Sequence, residues 1–378
     1  MGESRDSPHQ YDAIVVGGGI IGLSIGWKAA RLGMSVLVLD RDQRPQGASW
    51  VAAGMLAPVT EANFGEEALL RLNIESAGLW PGFAAELAEI SGIDLLGAHP
   101  GTLHVAVDRD QAEALRRLYQ YQGELGLEVQ WLGPAELKRL EPALHPGVRS
   151  GVRATGDTAV DPRMVLQALT VAFIAAGGDF RQGEVVEIDV SEGPAVVLSG
   201  GGSYAAGAVV LAAGCWSPSI RGVPGGLGKA IRPVKGQILR LVPRSSAPLI
   251  SHTIRTEEVY LVPRRGGETV VGATVEELGF DSAPTAGAVL ELLQAADEVV
   301  PGIREMELAE VSVGLRPGSR DNAPLIGSTS IPGLVLATGH YRNGILLAPV
   351  TADAIAHLLA KGEGLSRMSD FEPSRFGI

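Results

Sequence analysis

The strongest constraint on this chain is the stretch Tyr11 to Asp40, YDAIVVGGGIIGLSIGWKAARLGMSVLVLD, which reads as strand, glycine turn, helix and second strand without a break. Gly17, Gly19 and Gly22 fall on G-x-G-x-x-G spacing, directly after the apolar run Ala13 to Val16 and at the mouth of a helix opened by Ile20 and Ile21. The first glycine permits a tight turn. The second lets the backbone approach a pyrophosphate with no Cβ in the way, and the third lets the helix lie close on the strand. The first N–H groups of the helix, at the positive end of its dipole, then favour an anion. A second apolar run, Val36 to Leu39, ends in Asp40, whose carboxylate suits a ribose 2′-hydroxyl and disfavours a 2′-phosphate. With 50 glycines in 378 residues the spacing alone is a weak signal. Both strands, the helix and the terminal acid in register make it a dinucleotide site.

A chain of 378 residues exceeds one ordinary core and predicts two domains. Its formal net charge of -12, with no basic run, argues against nucleic acid and anionic membrane as partners. An acidic protein that holds an anionic ligand must do so with a few placed arginines. Cys215 is the only cysteine, which excludes internal disulfides and cysteine-based metal clusters and suits a reducing cytoplasm. His104, His252 and His357 lack metal-ligand spacing, so no metal is expected. The polar start MGESRDSPHQ reads as a disordered leader, and no stretch has the length and apolarity of a spanning helix.

After Asp40 the segment to Val59 is rich in small residues and lacks period, a loop able to pack along an extended ligand through Ser49, Ala53, Gly54 and Met55. Glu66 to Ile90 carries helical spacing, interrupted at Pro81. From Gly101 strands and helices mix. Asp161 and Pro162 then open a helix that Gly177-Gly178 ends. Three strands follow, the last (AVVLAAG, through Ala213 and Gly214) apolar throughout, as a buried parallel strand is. Residues 229–318 are mostly strands of an antiparallel sheet, the expected roof of a pocket. The chain returns through GLVLATG to a final helix with Asn343 as N-cap and Pro349 in its second turn. The fold class is α/β: a Rossmann-like parallel-sheet domain (10–92, 150–228, 319–370) interleaved with an α+β domain on an antiparallel sheet (93–149, 229–318). Residues 1–9 and 371–378 are expected to be flexible termini.

These pieces resemble the D-amino-acid oxidase family of FAD-dependent oxidoreductases, and within it the glycine-oxidase branch. The resemblance runs over nearly the whole chain and is carried by GGGIIGLSIGWKAARLG, SWVAAGM, VYLVPRRGGETVVGATV, VGLRPGSRDNAPLIG and ATGHYRNGILLAPVTA. It implies non-covalent FAD, with adenosine against Asp40 and Arg41, pyrophosphate on the Gly17 to Gly22 turn, and Ala48-Ser49 with Ala53 to Met55 along the cofactor. Val185 or Val186 would meet the adenine. His340, Tyr341, Arg342, Asn343, Gly344, Ile345 and Leu346 would wrap the isoalloxazine, near the N-terminus of the final helix.

The same resemblance implies a substrate site. A guanidinium binds a carboxylate bidentately and stays charged when buried, and Arg316 in GLRPG is the expected clamp. Arg342 would contact the amine through its backbone carbonyl, or else pair with a surface carboxylate. Tyr260 would offer its hydroxyl to the substrate carboxylate, or else simply pack. No acid-base residue is required. The implied reaction is oxidative deamination of glycine and other small amines or D-amino acids, by hydride transfer from Cα to the flavin. Oxygen is the acceptor, and the glycine imine supplies the thiazole ring of thiamine. Val275 replaces a methionine of the branch, leaving more room for sarcosine or N-ethylglycine. A sarcosine oxidase or D-amino-acid dehydrogenase on this scaffold, or a non-catalytic flavin-binding protein, are the alternative readings. The branch also implies a cytoplasmic homotetramer.

Overall fold

The computed structural model describes residues 10–378 apart from 44–45, 98, 192 and 245–246. The leader 1–9 lies outside the described residues. The first sheet runs in the order Leu325–Ser328, Leu334–Thr338, Ser203–Leu211, Gln10–Val16, Val36–Asp40, Asp179–Gln182, with Ala195–Leu198 and Val185–Asp189 added antiparallel beside Ser203–Leu211. Its five strands from Leu334–Thr338 to Asp179–Gln182 are parallel.

Alternate residues of those strands enter two different cores. Val15, Val36, Val38, Val210 and Val335 pack under the helices Ile20–Arg31, Glu67–Ser91, Pro162–Ala175 and Ala348–Lys361. Ile14, Val16, Leu37, Leu39, Val209 and Leu211 pack on the other side with Ile188, Val196 and Leu227. Both faces are covered, so the strands are apolar without alternation.

The second sheet has the order Glu307–Ser319, Ile231–Val242, Thr269–Gly272, Tyr260–Pro263, Thr253–Arg255, Thr102–Ala106, Ser150–Ala154, Gln130–Leu132. All its pairings are antiparallel except Thr253–Arg255 with Thr102–Ala106. The ion pair of Arg163 with Glu310 (2.6 Å) ties the helix Pro162–Ala175 to the long strand Glu307–Ser319.

Several expectations are corrected. Ser150–Ala154 pairs in the second sheet, so the return to the first begins after it, not at residue 150. Helix Glu67–Ser91 continues through Pro81, which stands on its exposed face. The small-residue segment is not wholly irregular: Ala48–Val51 forms a helical turn and Met55–Leu56 pairs with Thr158–Ala159. The final helix starts at Ala348 with Leu347 as its cap, so Pro349 falls in the first turn, where its missing N–H costs nothing. The C-terminus is packed, with a 3-10 turn Pro373–Phe376 and Phe371 and Ile378 buried in the two cores.

Candidate active site

A cavity of about 570 Å³ runs from the glycine turn to the underside of the second sheet. At the turn, Gly17 has φ 109°, a left-handed value, and a Cβ there would strike the Ala212 carbonyl. A Cβ on Gly22 would strike the carbonyl of Gly17, so this glycine acts from beneath the turn and does not line the cavity. Asp40 ends its strand with Oδ2 accepting from Gly18 N (2.6 Å) and Oδ1 from Asp42 N (2.9 Å). Burial raises its pKa, and these two donors work against that. Ser49 reaches across to accept from Ile20 N (3.1 Å). The amides of Gly19, Ile21 and Gly22 have no protein acceptor among the described residues, and Gly19 and Ile21 stand on the cavity wall at the helix mouth. The Arg41 guanidinium lies 4.0 Å over the Trp216 ring, and both line the wall. A narrow glycine-walled trough with open amides fits the pyrophosphate of a dinucleotide.

The other end is made by the second sheet. Arg255 stands directly opposite Tyr260, Tyr260 opposite Gly272, and Gly272 opposite Ile238. Residues so paired share a face, and all four line the cavity. Gly272 has no side chain because the Tyr260 ring and hydroxyl lie across it. Gly236 is bare for the same reason, since the Arg316 guanidinium occupies the space of its missing Cβ. Arg316 donates from Nη1 to the Thr274 carbonyl (3.0 Å) and makes no ion pair among the described residues. Burial pushes the Tyr260 phenol upward, against the opposing effect of Arg316, so its hydroxyl remains a protonated donor.

The segment 340–347 closes the cavity between the sheets. Buried His340 has Nε2 3.0 Å from Thr351 Oγ1, and burial lowers its pKa to about 3, keeping it neutral. Tyr341 N donates to the Pro317 carbonyl (3.0 Å). The Leu346 carbonyl accepts from Ser76 Oγ (2.6 Å) and Trp80 Nε1 (2.9 Å), which anchors the segment to the long helix.

Of the residues singled out in the sequence, Gly17, Gly19, Ile20, Ile21, Asp40, Arg41, Ala48, Ser49, Ala53, Gly54, Met55, Val185, Val186, Ala213, Gly214, Tyr260, Arg316, His340, Tyr341, Arg342, Gly344 and Ile345 all line this one cavity. Gly22, Asn343 and Leu346 do not. Asn343 is buried and bonded in turns to His340 and Leu347, so it shapes the segment and does not cap the helix. Arg342 lines the cavity with its guanidinium 3.8 Å from Glu66, the carboxylate pairing weighed as its alternative. Val275 lines the cavity at its exposed edge.

Sequence reasoning missed Glu61, Arg255 and Trp216, all on the wall. Arg255 and Glu61 are 194 residues apart and meet at 2.7 Å. No local pattern announces such a pair; only the register that puts Arg255 beside Tyr260 could have found it.

The model of the family described as DAO, FAD dependent oxidoreductase, matches residues 12–358. The chain is 34% identical over 371 residues to a glycine oxidase of Geobacillus kaustophilus (strain HTA426), covering 97% of each. The crystal structure of glycine oxidase from Geobacillus kaustophilus superposes with a TM-score of 0.90 over 96% of this chain and 98% of that one. A bifunctional protein ThiO/ThiG of Trichormus variabilis (strain ATCC 29413 / PCC 7937) is also 34% identical over 97% of this chain, which spans 55% of that longer protein. With the glycine turn, the trough and the roofed cavity in place, the match over most of its length shows that this chain belongs to the DAO family of FAD-dependent oxidoreductases.

Proposed function

We propose that this protein oxidises glycine and other small primary or secondary amines at Cα, giving an imine that water converts to the oxo acid and the free amine (glyoxylate and ammonia from glycine), with oxygen reduced to hydrogen peroxide. The observation that carries this reading is the Arg316 guanidinium, seated over Gly236 with no carboxylate partner among the described residues, in the same cavity as the dinucleotide trough. An unpaired guanidinium in a chain of net charge -12 calls for an anionic ligand. The likeness to glycine oxidases supports an amino-acid carboxylate as that ligand.

FAD, when bound, supplies the two-electron acceptor for the hydride leaving Cα. The trough amides of Gly19 and Ile21 and the Asp40 carboxylate are the groups suited to hold its diphosphate and ribose. Arg316 takes the substrate carboxylate on its free edge and Tyr260 adds a hydroxyl donor. Fixing one end of a small amino acid in a closed cavity orients its Cα–H, and such positioning provides much of the rate. Attachment of FAD is non-covalent: the Cys215 thiol is buried and pushed up to about 12 by burial, so it is not a nucleophile. We assign the imine to thiazole synthesis in the thiamine pathway, which the likeness to ThiO/ThiG proteins supports. A homotetramer in the cytoplasm is the assembly and location that go with this reading. Among the described residues no helix is long and apolar enough to cross a membrane.

The test is the visible spectrum of purified protein mixed with glycine without air, and then opened to air. Bleaching of the flavin bands by glycine, and their return with peroxide, is the expected result. Bleaching without return identifies a dehydrogenase, and an unchanged spectrum with glycine, sarcosine and D-alanine removes the substrate assignment.

A further inference from the structure

Glu61 and Arg255 face the cavity that holds Arg316 and Tyr260, yet the carboxylate clamp uses neither. Arg255 Nη1 donates to Glu61 Oε1 (2.7 Å), with side chains only 22% and 11% exposed. The second oxygen, Oε2, has no hydrogen-bond partner among the described residues. Among the described residues, six carboxylate side chains line the cavity. Asp40, Asp42 and Glu184 belong to the glycine-turn end, and Glu257 and Glu258 stand exposed on a turn. Among the described residues Glu61 is the one half-buried acid that lines the substrate end, where its charge and that of Arg255 both act on the Tyr260 hydroxyl.

We propose that Glu61, held in place by Arg255, receives the amino group of the substrate, so that the site selects zwitterions over carboxylates lacking an amine. This rests on the oxidase reading and sharpens its substrate class to α-amino acids and N-alkylglycines that keep an N–H. A zwitterion presents opposite charges at its two ends, and the site answers with Arg316 and Tyr260 at one and Glu61 at the other. A bare carboxylate meets the same Arg316 but is repelled by Glu61. Arg255 is a positioning residue: without it Glu61 would be a half-buried charge with no counter-ion, free to swing out of the cavity wall.

Glu61→Gln keeps the volume and removes the charge. The expected result is a rise of at least tenfold in the KM for glycine, with the inhibition constant of acetate unchanged or lower. The double variant Glu61→Gln/Arg255→Met leaves no unpaired charge and gives the same split even if the single variant folds poorly. Glycine and acetate weakening in parallel, acetate alone weakening, or no change in either overturns the proposal. Turnover of glycine by the unaltered holoenzyme is recorded first, and its absence sinks the oxidase reading alone. The comparison of glycine with acetate is then read by calorimetric titration of the holoenzyme, which needs no turnover.

Discussion

At one end of the cavity, Gly18 and the Asp40 carboxylate that binds its amide are 22 residues apart, within a single strand-turn-helix-strand unit. At the other, Arg316 rests on Thr274, 42 residues away, and Arg255 on Glu61, 194 away. The first end is a local backbone shape with few side chains in it. The second is a row of side chains brought to one face by sheet register. Substitutions should therefore fail differently at the two ends: a backbone trough is lost all at once, whereas a row of side chains is lost one interaction at a time.

The largest effect is expected from Gly22→Ala. Its Cβ would strike the Gly17 carbonyl, forcing the helix off the strand and closing the trough. The protein should purify without yellow colour, as read from the ratio of absorbance at flavin and protein wavelengths. Full flavin content would show that the trough tolerates movement and that the two ends of the cavity yield to substitution in the same gradual way.

Arg316→Ala should leave FAD in place and raise the KM for glycine at least tenfold, about 1.4 kcal/mol of binding. Steady-state kinetics on flavin-replete enzyme checks this, and unchanged kinetics removes Arg316 from the clamp. Tyr260→Phe deletes one hydroxyl donor and should weaken the same carboxylate by about 1 kcal/mol, roughly fivefold in KM. The smallest effect belongs to Val275→Met at the exposed edge. Restoring the longer side chain should lower kcat/KM for sarcosine relative to glycine by about threefold, within the range expected for one or two methylenes. A uniform loss on both substrates would mean that Val275 does not set the width of the pocket.

The fold was legible where its signal is local or periodic. The turn at Gly17 to Gly22, the apolar parallel strands and the Asp161-Pro162 helix start all lie where the residues place them. The final helix was misplaced because Asn343, a good cap by type, is buried in turns that precede it. Pro349 reads as a fault inside a helix and is instead a favourable residue in its first turn.

By itself the sequence determined the dinucleotide trough and the two-sheet architecture, since each follows from residue type at short spacing, whereas Arg316, Arg342 and Tyr260 were named only through the family resemblance. Only the tertiary structure decided that, among the described residues, Arg316 has no counter-ion while Arg255 has one. It also decided that Gly236 and Gly272 are bare to make room for side chains, and that Glu61 joins the substrate end. Charge pairing and shared faces between distant segments depend on strand register and on the closing of one sheet over the other. Neither is encoded at any single stretch of chain.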